Sequence, residues 1–496
     1  MRPEFYQDKW ESLRQSPTAP TLKPLARQLA LSFLDYYFYN DKYEGEYIRL
    51  LCEMATAFED EELNLIGSDA LFGIVIEALC DDFEELQTET YNRVMCQVVS
   101  YCRKMPAGAW LNRRLKDFGV DSYDSIFSRI EKIRNNSDQH RKDIRHPQKI
   151  LLLSRVTIGA DVAITSVMIQ RLKLMFPEAE ILVIGGSKLT KIFGGNPHIK
   201  IDVFDYSRRG GLFERFSGWE AVLETITREA PPGIAKDVIL VDPDSRLSQL
   251  GVLPLIDDEN YLFFNSRGKD SYPKKMSISE LTNHWLDLVF GESRFCFPRV
   301  WLQKRDLDRA ALFTDGLRAA GCGRIIVINF GVGGNSRKRL GEDFEKMLIL
   351  KLLEEPKTVI ILDKGFGEEE LRRSAGLIDA FRHSSYPCLD TSFDAMSENL
   401  FASGIVSVEC DIGGISALIS NSDEFFGYDS ACQHIAAAAG VPACTIFAGS
   451  NNTRFIRRWH ACGPARSEII HVDTLTHPPM FDNEDIVARI IDARIR

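Results

Sequence analysis

Two doubly wound α/β units in tandem, preceded by an all-helical region, are the architecture this sequence predicts. Three observations lead there. Apolar residues recur every three or four positions through the first 145 residues; from Lys149 short apolar runs alternate with amphipathic stretches; after about residue 300 that alternation begins again. The expected divisions are 1–145, helical; 146–312, a first Rossmann-like unit; 313–475, a second; and 476–496, an amphipathic helix. A chain of 496 residues suits roughly three domains of ~150 residues.

The helical part rests on "LARQLALSFLDYYFY" and "ALFGIVIEALCDDFEELQTETYNRVMCQVVSYC", which lack strand alternation. Residues 41–89 are acidic and 103–145 basic, read either as solvated faces or as a docking and homo-oligomerisation surface. The polar "RNNSDQHRKDIRHPQ" reads as a linker. Strands then follow at "ILLLSR", "AEILVIGG", "IKIDVFDY" and "DVILVDP". The helix after the first strand aligns Ile164, Met168, Leu172 and Met175 on one face and stops at Pro177. The second unit offers strands "RIIVINF", "KTVIILD", "DEFFGYD" and "VPACTIF", with helices near 342–354, 368–381 and 430–439. In the closing helix Ile486, Ile490 and Ile491 face inward. Two such units leave a cleft between the carboxyl ends of their strands.

Composition narrows the function. A net charge of −11 argues against a nucleic-acid partner, because phosphate neutralisation needs clustered cations. No stretch reads as a membrane span of ~20 apolar residues, and "MRPEFYQDKWESLRQ" lacks a signal-peptide core, so a cytoplasmic protein is expected. The eleven cysteines form no C-x-x-C pair and are expected to be reduced. G-x-S-x-G, H-E-x-x-H and zinc spacings are absent.

Three stretches carry candidate chemistry. In "SRVTIGADVAI" the chain leaves a strand through Gly159 and places Asp161 where a helix begins, as a cap or as a base facing a cleft. In "GYDSACQHIAAAAG" a helix begins at Asp429 or Ser430, with His434 about one turn in; its free N–H groups suit a phosphate, whereas the plainer reading is a capped helix with a core histidine. "INFGVGGNSRKRLGEDF" fits neither the P-loop nor G-x-G-x-x-G. It still combines a glycine turn that lets a ligand approach with Arg337, Lys338 and Arg339, or it is a solvated basic turn.

From Lys149 onward the chain resembles glycosyltransferase family 9, the heptosyltransferases that use ADP-heptose. The resemblance lies in "SRVTIGADVAITSVMIQRLKLMFPEAEILVI", "NPHIKIDV", "GNSRKRLGEDF" and "GYDSACQHIAAAAGVPACTIFAGS". It implies the GT-B fold and inverting transfer from a nucleotide-diphosphate sugar, ADP-heptose favoured, to a hydroxyl of a bacterial surface glycan or a protein. It also implies a cytoplasmic protein of lipopolysaccharide synthesis, peripheral to the inner membrane, needing no metal or other cofactor. Asp161 matches the catalytic carboxylate and Lys338 the phosphate-binding lysine. Gly333, Asp429, Ser430, Ala431 and His434 match donor-binding positions, and Glu368 of "GFGEEE" the ribose-binding turn. The sequence departs from the family by placing Ala160 between Gly159 and Asp161, Ala431 at the signature glycine, and Leu340 for tryptophan. The alternative is a nucleotide-sugar-binding protein without transfer activity, whose helical region holds a partner. A two-Rossmann epimerase finds no matching His/Glu set.

Overall fold

Strand alternation of period two gives each sheet two apolar faces, and what covers each face organises the molecule. The structure, a computed structural model, describes residues 2–40, 42–80, 82–206, 210–231, 235–269, 271–382, 385–396, 400–476 and 481–495. The first sheet comprises β1 (Lys149–Leu153), β2 (Glu180–Gly185), β3 (Ile199–Val203), β4 (Val238–Asp242) and β5 (Tyr261–Phe263), parallel, in the order β3-β2-β1-β4-β5. The second comprises β6 (Arg324–Asn329), β7 (Thr358–Asp363), β8 (Cys388–Ser392), β9 (Gly404–Glu409), β10 (Glu424–Tyr428), β11 (Ala443–Phe447) and β12 (Ser467–His471). These too are parallel, in the order β12-β11-β10-β6-β7-β9-β8.

On the first sheet Ile150, Leu152, Ile181 and Val183 face the helices Ser166–Met175 and Ile278–Phe290. That core continues into Ile325, Val327, Val359 and Ile361 of the second sheet, so the two units share apolar packing. The opposite face of the second sheet, with Ile326, Ile328, Ile360 and Leu362, is covered by Glu342–Leu353, Glu368–Arg382 and the last helix, Asn483–Ile495. Ile486 and Ile490 of that helix are buried and Ile491 half-buried.

The helical first part is not a separate body. Its buried Leu29, Tyr47, Val75, Val94 and Ile130 lie in one continuous core with Leu151, Leu153, Leu182, Ile184 and Leu240, the remaining face of the first sheet. The stretch that reads as a linker is tied down as well: Trp285 Nε1 donates to Ser137 O at 2.6 Å, Arg141 N to Val289 O at 2.8 Å, and Lys269 pairs with Asp138. Exposed polar linkers are cut first by proteases, but this one is held. Limited proteolysis is therefore expected to spare residues 137–141 while exposed loops, the neighbouring 142–146 included, are cleaved; mass spectrometry showing a first cut inside 137–141 would contradict the packing.

One sequence expectation is corrected outright. Glu61–Cys80 is long and apolar enough to cross a membrane by length and composition, yet Leu71, Val75, Ile76 and Leu79 are buried in the core. All eleven cysteines are free, as expected.

Candidate functional site

Ligands of doubly wound sheets sit at the carboxyl ends of the strands, where the strand order reverses. In the first sheet that point lies between β1 and β4, in the second between β6 and β10. The candidate residues gather at both.

At the first point the chain turns sharply after Ser154. Val156 sits at φ 71°, a left-handed conformation that costs a β-branched residue about 1–3 kcal/mol. Asp161 holds this turn. Its Oδ1 accepts from Arg155 N at 2.7 Å and Thr165 Oγ1 at 2.8 Å, and its Oδ2 accepts from Ser154 Oγ at 2.8 Å. Capping of the helix start is thus not its role: Thr157 occupies the N-cap position, without a side-chain cap bond. With Asp161 only 1% exposed, burial pushes its carboxyl up to about 6 despite the three donors. Residues Asp161–Thr165 form a π-helical turn, and a π-turn takes up one extra residue without shifting the rest of a helix. Ala160 is buried just ahead of this turn, and Ile164, Met168 and Leu172 remain buried as the periodicity requires.

At the second point Lys338 Nζ donates to Asp429 Oδ2 at 2.5 Å, and Gln433 Nε2 donates to Asp429 Oδ1 at 2.6 Å. Ser430 is the N-cap of the helix Ala431–Ala438 without capping it through its side chain; its Oγ lies 3.4 Å from Asn329 Oδ1 at the end of β6. Gly333 (φ 60°) and Gly334 (φ 88°) make an exposed turn only glycine takes easily. Glu368, read as the ribose contact, is exposed at the start of its helix. Glu370 points inward instead, accepting from Val332 N and Phe366 N, each at 2.9 Å. His434 is buried edge-on to Trp459, ring centroids 5.9 Å apart, and burial lowers its imidazole to about 4, so it is neutral at physiological pH.

The two switch points meet. A Cβ added to Gly159 would lie 3.2 Å from both Ala431 Cα and His434 Cδ2, so the turn fixed by Asp161 rests directly on the helix start of the second unit. Beside it Lys191 pairs with Asp411 at 2.8 Å, and the Lys188 ammonium lies 4.7 Å from the Phe366 ring centre. The helical region also reaches the second unit: Asn452 Nδ2 donates to Asp82 Oδ1 at 2.9 Å, Arg454 pairs with Glu84 at 2.6 Å, and Phe83 packs on Trp459. Sequence reasoning missed Ser154, Asn329, Gln433 and Glu370. The available signal was a polar residue ending a buried strand, as Asn329 does.

No protein-family model and no curated protein matches the sequence. Among solved structures the chain is similar to a family 9 glycosyl transferase from Veillonella parvula DSM 2008, with a TM-score of 0.51 and 15% identity over 71% of this chain and 97% of that one. Also similar are the E. coli ADP-heptose lps heptosyltransferase II (TM-score 0.45, 13% identity, 70% and 98% covered) and the E. coli heptosyltransferase WaaC with ADP (0.44, 12%, 70% and 99%). The first of these likenesses shows the fold: two Rossmann-like units facing a cleft, the GT-B arrangement.

Proposed function

We propose that the protein is a glycosyltransferase that moves a sugar, with inversion, from a nucleotide-diphosphate sugar to a hydroxyl acceptor. ADP-heptose is the favoured donor, and a bacterial surface glycan or a protein the acceptor. The observation that carries this reading is the contact of Gly159 with Ala431 and His434, which joins the Asp161 turn of one unit to the helix start of the other. Helix N-termini favour phosphate, and Lys338 stands beside this one through Asp429. Together they can bear the charge that grows on a departing diphosphate, so the transfer needs no metal. Asp161, with its carboxyl raised to about 6, suits proton removal from an acceptor hydroxyl near neutral pH.

The burial of Asp161 favours one alternative, a protein that binds the nucleotide sugar without transferring it. Thermal unfolding against ADP-, UDP- and GDP-sugars tests the reading. A ligand at 100 times its dissociation constant stabilises by about 2.7 kcal/mol, and the ADP-sugar is expected to do so at the lowest concentration. No shift with any of them would end the nucleotide-sugar reading, whereas a shift without sugar release would favour the binding protein.

A further inference from the structure

The helix Ala19–Asn40 has an outward face that no described residue covers. Its buried side, with Leu22, Leu25, Leu29 and Phe33, belongs to the core of the helical region. On the other side Pro24, Gln28, Leu31, Asp35 and Phe38 are exposed and recur at alternating steps of four and three residues. That spacing keeps side chains on one stripe, the one that meets a partner when two helices pair. Leu31 and Phe38 are each 44% exposed and Tyr39 is 83% exposed. A groove of about 690 Å³ opens along the stripe, bordered by Tyr6 of the helix Pro3–Leu13, whose hydroxyl lies 2.7 Å from Ser32 Oγ.

The charges on this face are arranged about Leu31. Arg27 lies four residues before it and Asp35 four residues after, ~6 Å to either side along the helix axis. Both are exposed, and neither side chain forms a hydrogen bond or an ion pair among the described residues. Within one helix they are ~12 Å apart, too far to pair with each other. Pro24 and Phe38 stand seven residues before and after Leu31. The face is therefore self-complementary about a two-fold axis through Leu31. Turned end for end, it sets Arg27 against Asp35, Asp35 against Arg27, Phe38 against Pro24, and Leu31 on itself. A two-fold interface requires that reciprocity, residue i on residue j and j on i.

We infer that the partner of this face is a second copy of the chain, packed antiparallel, helix on helix, as a two-fold dimer. Leu31 and Phe38 exclude water along the seam, and the two Arg27–Asp35 pairs that flank the axis fix its register. They also fix its sense. A parallel pairing would set Arg27 on Arg27 and Asp35 on Asp35, and like charges placed together oppose association. The helical region then has a task, to hold two copies together, and it shares one core with the first sheet, so each copy is carried whole. None of the stripe's residues belongs to the two switch points, so dimer formation and ADP binding can be measured separately.

Sedimentation velocity of the full chain tests this, at concentrations from about 0.1 to about 100 µM, the range in which a small interface dissociates. The wild type is expected to pass from monomer to dimer. Leu31→Glu sets two carboxylates together on the axis, and Arg27→Asp or Asp35→Arg makes both flanking pairs alike in charge. Each is expected to weaken the dimer about tenfold or more, with far-UV circular dichroism unchanged. An equal mixture of Arg27→Asp and Asp35→Arg chains is expected to dimerise again, because every facing pair then carries opposite charges. Mixing would not repair a folding defect, so the result stays decidable should one variant be unstable. A wild type that remains monomeric throughout, a dimer that Leu31→Glu leaves intact, or reversals that the mixture does not rescue overturns the proposal. A monomeric wild type that floats with phosphatidylglycerol vesicles, and loses them in Leu31→Glu, would give the face to a membrane and overturns it as well.

Discussion

Asp161→Asn is expected to lower sugar transfer by about 100- to 10,000-fold, the usual contribution of a general base, with ADP affinity unchanged. The variant keeps the shape of the turn. Its amide oxygen can still accept from Arg155 N and Thr165 Oγ1, and its amide nitrogen can donate to Ser154 Oγ. What it loses is the ability to take a proton. Burial raises the Asp161 carboxyl from 3.8 to about 6, so wild-type turnover should rise with pH through about 6, and that limb should vanish in the variant. Stability follows the opposite sign. A carboxyl whose folded pKa is raised favours the folded state while protonated, and its contribution falls as pH rises from about 4 to about 6. His434, lowered to about 4, adds no limb near neutral pH. Donor hydrolysis serves as the readout until an acceptor is in hand. A variant that retains wild-type turnover would remove Asp161 as the base, and equal losses of melting temperature and turnover with the pH limb kept would make it a positioning residue.

Lys338→Ala is expected to weaken ADP binding by ten- to a hundredfold, since a charge-assisted contact contributes about 1.5–3 kcal/mol. The geometry adds a second effect. Lys338 is the cation paired with Asp429, itself 8% exposed, so its removal leaves a largely buried carboxylate facing the incoming diphosphate. Adding Asp429→Asn to Lys338→Ala should therefore recover part of the loss, whereas Asp429→Asn alone should cost less than Lys338→Ala. Calorimetry of ADP with the three variants decides it. Additive losses would mean that the pair does not act as a unit, and wild-type affinity in Lys338→Ala would place the diphosphate elsewhere.

Most of the strands anticipated carry apolar runs, because a strand buried on both faces leaves that trace in the sequence; β3, an edge strand, shows instead the alternation "IKIDV" of a half-exposed one. β8 and β12 are half-exposed edge strands without such a run, and β5, also an edge strand, is apolar but only three residues long. β9 lies inside its sheet, but buried Ser407 interrupts "GIVSVE". The two switch points were legible from glycines and polar residues after strands, yet side-chain direction was not. Glu368 and Glu370 lie two apart at a helix start, and only packing decides that the second turns inward to the Val332 turn. The continuity of the helical region with the first sheet was also hidden, since an apolar helix face does not record what it covers.

The contact of Asp82, Phe83 and Glu84 with Asn452, Arg454 and Trp459 closes a mechanical ring. One side of the ring is the covalent connection between the helices Ile278–Phe290 and Lys304–Ala319; the other runs through the helical region, which is fused to the first sheet by their common core. The units are also held by their common core and by Arg458, which donates to Pro273 O and Met276 O, and within this joint the Arg454–Glu84 pair is the most exposed contact. Both side chains are 41% exposed, and such a pair contributes only about 0–1 kcal/mol. Its strength is screened over about 8 Å at physiological ionic strength. Raising the salt concentration should therefore loosen this outer ion pair first, while the Asp82–Asn452 and Phe83–Trp459 contacts beside it stay in place.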